Sequence, residues 1–148
     1  KTNPMKGQIT LTMIKPYAVK RHHVGDILAE IEHAGFSIRA MKMVQLPKEK
    51  AELFYAEHKG KPFFAALVEF MSSGPIVAAL LQKENAVADF RKLIGSTDPH
   101  EAEEGTIRRK YATDKTRNAI HGSDSDESAI RESRFFFSSM EEFFCVPE

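Results

Sequence analysis

The residues best suited to chemistry lie in segment 118–125, Asn-Ala-Ile-His-Gly-Ser-Asp-Ser, which contains His121. Small polar residues surround this histidine, and the glycine after it allows another group to approach closely. A neutral imidazole can accept a phosphoryl group, and the ordinary histidine pKa of about 6.5 leaves most of such a side chain neutral at cellular pH. A carboxylate bound to one ring nitrogen would fix the tautomer and leave the other nitrogen as the nucleophile. Glu132, on the helix predicted to follow, is the candidate for that carboxylate.

Several other chemistries are disfavoured by the same sequence. It contains no G-x-x-x-x-G-K-[ST] phosphate loop, no G-x-G-x-x-G dinucleotide fingerprint and no G-x-S-x-G nucleophile elbow. The acidic residues 124–127 resemble the start of a calcium loop, but no central glycine follows and the twelfth position is Phe135. A helix capped by Ser125, with acids in its first turn, explains these residues better.

Composition and charge bound the remaining possibilities. The 148 residues suffice for one domain, and 21 basic against 21 acidic residues give a formal net charge of zero. A neutral chain is not typical of proteins that coat nucleic acid, so an anion site must be a local cluster of positive charge. No apolar run approaches membrane-spanning length, residues 1–7 lack a signal-peptide core, and the single Cys145 cannot form an internal disulfide. We therefore expect a cytoplasmic protein.

The periodicity of apolar residues predicts interleaved strands and helices. Residues 9–14 alternate as a half-buried strand, whereas apolar residues at 24, 27, 28 and 31 predict an amphipathic helix that ends at Gly35. The remaining predicted elements are a strand at 36–46, helices at 47–58 and 62–71, a buried strand at 75–81, a helix at 85–93, a short strand at 118–121 and a helix after Ser125. This order predicts the α/β or α+β class, with helices covering a small sheet.

Three features outside the histidine segment bear on a ligand site or an interface. Lys15 continues the apolar side of the first strand, so its side chain is expected to point into the protein; a snorkelling lysine is the alternative. Residues 95–117 are polar and lack periodicity, and a connection of that length is typically functional or disordered. The aromatic tail, residues 135–144, is expected to pack on the body of the protein or on a neighbouring subunit.

The motif N-x-x-H-G-S-D-S resembles the active-site signature of nucleoside diphosphate kinases, and it is highly specific. Further motifs of that family occur in order: Ile14-Lys15-Pro16, Phe54-Tyr55 with His58, Lys61-Pro62-Phe63-Phe64, Met71-Ser72-Ser73-Gly74-Pro75 and Gly105-Thr106-Ile107-Arg108. The resemblance covers residues 10 to 137, with spacing similar to that of the short bacterial members. It implies a ferredoxin-like, small antiparallel sheet of about four strands covered by helices. Met5 falls where the family's chains begin, so residues 1–4 are expected to be an expression remnant and residues 5–148 a single domain.

The resemblance assigns catalytic roles to five residues. It implies that His121 is transiently phosphorylated on its pros nitrogen, Nδ1, and that Ser123 and Glu132 orient the imidazole. It also implies that Lys15 and Tyr55 lie close to the reacting phosphates. The strand alternation supports Lys15 independently of the resemblance.

A larger set of residues would bind the nucleotide. The resemblance implies Lys15 and Asn118 for the ribose hydroxyls, Arg91, Thr97 and Arg108 for the phosphate oxygens, Phe63 and Leu67 for the base, and His58 close by. Without the resemblance, the two arginines would be interpreted as surface residues, and core packing would explain Phe63. Because adjacent helical residues point about 100° apart, Phe64 can serve the core while Phe63 faces an opening.

A few positions depart from the family's common pattern. Tyr17 stands where Asp is usual, Gln82-Lys83 replaces Glu-Gly, and Ser133 occupies a position that is typically aliphatic or Gly. Lys115 stands at a position where the family frequently has small or apolar residues near the base, so the resemblance implies that it bears on base contacts or subunit interfaces. None of these departures removes a catalytic group.

The implied reaction is a ping-pong transfer of the γ-phosphoryl group from a nucleoside triphosphate, such as ATP or GTP, to a nucleoside diphosphate. The resemblance implies broad base tolerance and a role in balancing nucleotide pools, with Mg²⁺ bridging the nucleotide phosphates without direct protein ligands. It implies homo-oligomers, tetramers or hexamers built from dimers, and no obligate nucleic-acid or membrane partner. Two alternatives are a non-catalytic relative, which the intact His121 and Lys15 argue against, and a sheet-based nucleic-acid-binding module, which the neutral charge disfavours.

Overall fold

The computed structural model describes residues 6–144, so the expectations about residues 1–4 and Cys145 lie outside the described residues. Within this range the chain forms four strands: β1 (Ile9–Ile14), β2 (Ser37–Val44), β3 (Ile76–Gln82) and β4 (Ile120–Gly122). It also forms seven α-helices: α1 (Pro16–Lys20), α2 (Val24–His33), α3 (Lys48–Phe54), α4 (Phe64–Met71), α5 (Ala86–Ile94), α6 (Ile107–Tyr111) and α7 (Asp126–Phe136). None of these helices of the described chain is long and apolar enough to cross a membrane. The domain boundary and the cytoplasmic location stay predictions.

The four strands form one sheet, and its strand pairs are antiparallel. Their order is β2-β3-β1-β4, so β1 lies between β3 and β4, while β2 lies at an edge. In the register, Leu11 faces Leu80 of β3, and Met13 faces His121 of β4. This arrangement confirms the expected ferredoxin-like antiparallel sheet covered by helices.

β1 is buried on both faces, so the prediction of a half-buried strand was wrong. Leu11 and Met13 contribute to one hydrophobic core, which includes residues of α4 and α7. Ile14, on the opposite face, contributes to a second core, which includes residues of α2 and α5. Thr10 and Thr12 are fully buried as well. Because helices cover both faces of this central strand, its threonines indicate no solvated side.

The structure adds one element that no pattern indicated and shortens one predicted helix. The polar segment 95–117 contains α6, whose first turn is capped by the Thr106 hydroxyl, which accepts the Arg109 N–H at 3.4 Å. Five residues are too few to show a periodic pattern in the sequence. The helix predicted at 47–58 ends at Phe54, and the chain then forms a 3₁₀ turn at Ala56–His58.

The aromatic tail divides between the core and the surface. Phe136 and Phe137 are buried, whereas Met140 and Phe143 are 85% and 70% exposed. The Phe143 N–H donates to the Arg39 carbonyl at 2.7 Å, so the tail runs beside β2. The expectation that the tail packs on the body is therefore confirmed for its first part.

Candidate active site

His121 lies on β4, beside the central strand β1. It pairs directly with Met13, so the two side chains point to the same face of the sheet. The Lys15 N–H donates to the Ala119 carbonyl at 2.9 Å, which extends the pairing to the end of β1. Since alternate residues of an extended strand share a face, Lys15 points to the same side as Met13. The sheet therefore brings the candidate nucleophile and a cation to one face.

Gly122 is required by the packing behind His121. A Cβ at this position would lie 2.9 Å from Phe90 Cδ2 and 3.1 Å from Ile94 Cδ1. Both side chains belong to α5 and are buried, so they have little room to move. A larger residue would displace β4 and, with it, the imidazole of His121.

Three residues form a hydrogen-bonded unit that we call the imidazole network: His121, Glu132 and Ser123. His121 Nε2 lies 2.8 Å from Glu132 Oε1, and the Ser123 hydroxyl donates to the same oxygen at 2.8 Å. Ser123 Oγ also accepts the Leu11 N–H at 3.0 Å. An ionised Glu132 can only accept, so in a neutral imidazole paired with it Nε2 carries the proton and Nδ1 keeps its lone pair. Glu132 and Ser123 are buried, so water does not compete for these bonds.

Helix α7 delivers Glu132 to this position. The Ser125 hydroxyl caps the helix by accepting the Ser128 N–H at 3.1 Å, which confirms the predicted cap. Ala129, Glu132 and Phe136 all belong to the buried side of the helix. Their spacing of three and four residues places Glu132 on the face that packs against the sheet.

A row of aromatic rings leads from His121 towards the surface. Phe54 meets the imidazole edge-on, with 5.6 Å between ring centroids, and contacts Tyr55 at 5.0 Å. His58 stacks on Tyr55 at 6.3 Å and contacts Phe63 at 5.3 Å. Tyr55 is buried, whereas Phe63 is 49% exposed. The row thus ends in a ring on which a planar ligand can stack.

Phe63 and its neighbours divide as the helical geometry predicts. Phe64 is partly buried and packs against the core, in contrast to the exposed Phe63. Leu67 also packs against this core, and its N–H donates to the Phe63 carbonyl at 3.0 Å. Leu67 is therefore placed one helical turn beyond Phe63, on the side of the protein interior.

Lys15, Arg91 and Arg108 form what we call the cationic cluster. Burial, reinforced by the positive charge of Arg108, lowers the pKa of Lys15 to about 7. Burial, reinforced by the charge of Arg91, lowers the pKa of Arg108 to about 10. Among residues 6–144, no carboxylate forms an ion pair with any of these three cations. Hydrogen bonds from Ser128 and Ser125, together with the positive charge of Arg91, lower the pKa of Asp124, so Arg91 has one carboxylate within electrostatic range. Lys15 and Arg108 are buried cations without such a carboxylate, and they favour an anionic ligand.

A cleft of about 680 Å³ borders the cationic cluster and is lined in part by Arg91, Thr97 and Arg108. Arg108 is anchored there by two hydrogen bonds of 2.9 Å, to the carbonyls of Gly95 and Ile120. Its Nε is buried and has no partner. Arg108 thus combines a fixed position with an unused donor, which suits it to an oxygen of a bound ligand.

Asn118 and Tyr55 also carry polar atoms without partners. Asn118 Nδ2 donates to the Lys115 carbonyl at 2.9 Å, but its Oδ1 is buried and unpaired. The Tyr55 hydroxyl is likewise buried and unpaired, and burial together with the charge of Glu132 raises the pKa of the phenol. Of the four buried side-chain polar atoms without partners in the described chain, three belong to predicted site residues, Arg108 included. Buried groups left without a partner require an explanation, and a bound ligand would supply one for these three residues.

Sequence reasoning missed three residues that contact the imidazole network. Phe54 belongs to a family motif, but its edge-on contact with His121 was not expected. The Thr12 hydroxyl donates to the His121 carbonyl at 2.8 Å. Arg131 Nη2 lies 3.7 Å from Glu132 Oε2. No pattern indicated Arg131, because adjacent helical residues do not face each other.

Comparison with known proteins identifies the family. Residues 8–142 match the family described as nucleoside diphosphate kinase, which covers most of the chain. The chain belongs to the nucleoside diphosphate kinase family. The resemblance in the sequence is thereby confirmed, while the roles of individual site residues stay predictions.

Individual members of the nucleoside diphosphate kinase family are similar along almost their whole length. The protein from Chlorobaculum tepidum is 58% identical over 132 residues, which are 89% of this chain and 94% of that protein. The one from Flavobacterium psychrophilum is 55% identical over 134 residues, 90% and 96% of the two chains. The crystal structure of the Aquifex aeolicus enzyme has a TM-score of 0.90 and 47% identity, covering 91% of this chain and 98% of that one. A Halobacterium salinarum nucleoside diphosphate kinase, solved in complex with CDP, has a TM-score of 0.91 and 37% identity, covering 96% and 95%.

Proposed function

We propose that this chain moves the γ-phosphoryl group of a nucleoside triphosphate to a nucleoside diphosphate through a phosphohistidine at His121. As a member of its family, the chain is a phosphotransferase with nucleoside diphosphate kinase activity. The observation that carries the proposed mechanism is the 2.8 Å pairing of His121 Nε2 with Glu132 Oε1. With Nε2 engaged, the pros nitrogen Nδ1 has the free lone pair and is the nucleophile.

The proposed transfer has two balanced halves. Nδ1 of His121 attacks the γ-phosphorus while the bond from that phosphorus to the bridging oxygen breaks, and the nucleoside diphosphate leaves with the electron pair. The phosphorylated ring keeps its Nε2 proton and is positively charged, so the carboxylate of Glu132 stabilises it. A terminal oxygen of the second diphosphate then attacks the same phosphorus, and the electron pair of the broken N–P bond returns to Nδ1.

The unpaired groups of the site support a polyphosphate with an attached ribose as its ligand. Lys15, Arg91 and Arg108 can compensate the charge of the phosphates, and the free Nε of Arg108 can donate to an oxygen. Thr97 adds a hydroxyl donor on the same cleft. The unpaired Oδ1 of Asn118 can accept a ribose hydroxyl, which Lys15 would bind as well.

The exposed ring of Phe63 supports stacking as the mode of base binding. Its exposed fraction is 49%, and His58 lies beside it at 5.3 Å, with Leu67 one turn further along α4. Every base has a π-face, so stacking favours broad base tolerance, whereas hydrogen bonds to base edges would discriminate. The relative from Halobacterium salinarum was solved with CDP, which supports a pyrimidine nucleoside diphosphate as one ligand.

Mg²⁺ is the proposed cofactor, carried by the nucleotide. Within residues 6–144, no three His, Cys, Asp or Glu side chains are grouped so that they could hold a metal ion. The cleft is lined by Glu101 and Glu103 as well as by the donors Arg91, Arg108 and Thr97, and it is the donors that fit phosphate oxygens. They therefore fit a metal that the phosphates hold, without direct protein ligands. When bound, the ion would neutralise charge on the transferring group.

A labelling experiment tests the phosphohistidine. The protein is incubated briefly with γ-³²P-ATP and Mg²⁺, separated from the nucleotide, and divided between acid and alkali. We expect label that acid removes and alkali does not, and none in a His121→Ala variant. A thermal melt of that variant checks that it is folded. Label that survives acid, or that persists in His121→Ala, would contradict the proposal.

A homo-oligomer built from dimers, either a tetramer or a hexamer, is the proposed assembly. The edge strand β2 supports it, because Met41 and Met43 are 51% and 60% exposed, and the exposed Met140 and Phe143 belong to the tail that runs beside it. An apolar exposed edge is typical of a surface that another chain covers. Sedimentation should show an assembly that Met41→Lys with Met43→Lys disrupts, whereas a monomeric wild type would contradict the proposal.

A further inference from the structure

Arg131 is the residue before Glu132 on α7, and its guanidinium reaches the oxygen of Glu132 that the imidazole network does not use. Arg131 Nη2 lies 3.7 Å from Glu132 Oε2. The same nitrogen donates to Ser128 Oγ at 3.4 Å and lies 3.9 Å from Glu57 Oε1. The guanidinium is therefore held by its own helix and by the 3₁₀ turn Ala56–His58.

The two oxygens of the Glu132 carboxylate have unequal surroundings. Oε1 accepts hydrogen bonds from both His121 and Ser123. In the described chain, the guanidinium of Arg131 is the group in polar contact with Oε2. Glu132 as a whole is only 6% exposed, but Oε2 is not among the buried polar atoms without a partner, so this oxygen keeps some contact with solvent. Arg131 is therefore the charged side chain of the described residues that contacts Oε2, and the low exposure of Glu132 strengthens their attraction.

The orientation of the Glu132 carboxylate determines how firmly its hydrogen bond holds the imidazole of His121. The terminal torsion of a glutamate is broad, so contacts to one oxygen alone do not fix the plane of the group. A hydrogen bond weakens steeply as its angle departs from linear, so a tilted carboxylate would hold Nε2 of His121 less firmly. A cation on Oε2 supplies the second point that fixes the plane.

We propose that Arg131 is a positioning residue that holds the Glu132 carboxylate and thereby keeps Nδ1 of His121 aimed at the phosphorus. This inference rests on the phosphohistidine mechanism proposed above. The Arg131 side chain is 57% exposed, so its effect is moderated by solvent. It acts on the rate of transfer and not on nucleotide affinity, because it contacts none of the residues proposed to bind the nucleotide.

The test measures single-turnover phosphorylation of the protein by labelled ATP with Mg²⁺ over a range of nucleotide concentrations. Arg131→Met should lower the rate constant at saturation roughly three- to fivefold, with the half-saturating concentration changed less than about twofold. Arg131→Lys keeps the cation and should retain most of the rate. Arg134→Met, one turn further along α7 and exposed, is the matched control and should react like the wild type.

A double-mutant cycle separates positioning from general support of the fold. In a Glu132→Gln background the carboxylate is gone, so Arg131→Met should cause no further fall in the rate. A further fall in that background, a wild-type rate in Arg131→Met, or an equal loss in Arg134→Met would overturn the inference. Absence of acid-labile label in the wild type would overturn the phosphohistidine mechanism and this inference with it. Normal labelling of the wild type with an unchanged Arg131→Met rate rejects only the role of Arg131.

Discussion

The imidazole network and the cationic cluster satisfy their polar groups in opposite ways. In the network, His121, Glu132 and Ser123 bind one another, with Glu132 Oε1 at 2.8 Å from each of its two partners. In the cluster, Lys15 is buried without a carboxylate beside it, and Arg108 keeps a buried Nε without a partner. The network is complete without substrate, whereas the cluster lacks the anion that would complete it.

This difference separates two contributions to catalysis. A preorganised nucleophile needs no rearrangement when the substrate arrives, so the network contributes to the rate of transfer. A set of uncompensated cations destabilises the folded protein until a phosphate binds. The cluster therefore lowers the stability of the ligand-free protein and raises its affinity for the phosphates of the nucleotide. Substitutions in the two regions should therefore change the free energy of unfolding in opposite directions, although both impair activity.

The largest expected effect is that of Lys15→Met. Removing the cation should lower kcat/KM by about 10²- to 10³-fold, because the charge on the transferring phosphates loses its compensation. The same substitution should raise the free energy of unfolding of the ligand-free protein by about 2 kcal/mol, since a buried, uncompensated ammonium is replaced by an apolar chain of similar volume. Steady-state kinetics and urea denaturation measure the two effects.

The pH dependence of stability sharpens this prediction. The pKa of Lys15 is lowered from 10.5 to about 7 in the folded state, so below pH 7 both folded and unfolded states carry the charge and the burial penalty is fully present. Between these two values only the unfolded state keeps the proton, so stability rises with pH. Lys15→Met should remove that rise, and the exposed Lys20→Met should leave it unchanged. A destabilised Lys15→Met would show that the ammonium is compensated and would contradict the comparison.

A smaller effect is expected for Phe63→Ala, which removes the stacking ring without touching either region. The Kd of ADP and the Kd of CDP should each rise about tenfold, because stacking contributes similarly for every base. Unfolding should be little changed, since Phe63 is 49% exposed. Phe143→Ala, in the exposed tail, is the control, and fluorescence or calorimetric titration gives the constants. A loss confined to one of the two nucleotides would show that base edges are recognised.

Ser123→Ala tests the network with an expected loss of stability. Without the hydroxyl, the Leu11 N–H loses its acceptor and Glu132 Oε1 loses a donor, so unfolding should become about 1–2 kcal/mol easier. Phosphoryl transfer should slow about fivefold, because one support of the carboxylate is lost. Ser133→Ala is the matched control, since that buried hydroxyl bonds only within its own helix, to Ile130. Equal effects of both substitutions would refute a special role for the network.

The sequence predicted most of the sheet, because strands and long helices carry periodic patterns. The prediction was wrong for β1, because its buried threonines give the alternating pattern of a half-exposed strand. It missed α6, because five residues are too few to show a helical periodicity. It also missed the end of α3 at Phe54, which lets Tyr55 and His58 turn towards the site. These failures share a cause: the pattern reports local preference, whereas burial is decided by elements distant along the chain.

The residues of the candidate site were predicted partly from strand alternation and mostly from the resemblance to the family. The alternation of β1 alone indicated that Lys15 points inward, and the structure places it there. Arg108 and Asn118 could be placed only by resemblance, because nothing local distinguishes them from surface residues. Arg131 could not be found at all, since its contact with Oε2 of Glu132 depends on side-chain conformation and not on spacing.

The smallest expected signal is proton uptake on nucleotide binding. With a pKa of about 7, Lys15 is mostly neutral at pH 8 before the ligand binds. A bound phosphate favours the ammonium form, so close to one proton should be taken up, and calorimetry in buffers of different ionisation enthalpy measures it. The uptake should vanish in Lys15→Met, and uptake that persists there would place the titrating group elsewhere. Because binding then includes a protonation, the affinity of the wild type should weaken up to about tenfold per pH unit above pH 7, whereas that of Lys15→Met should stay flat.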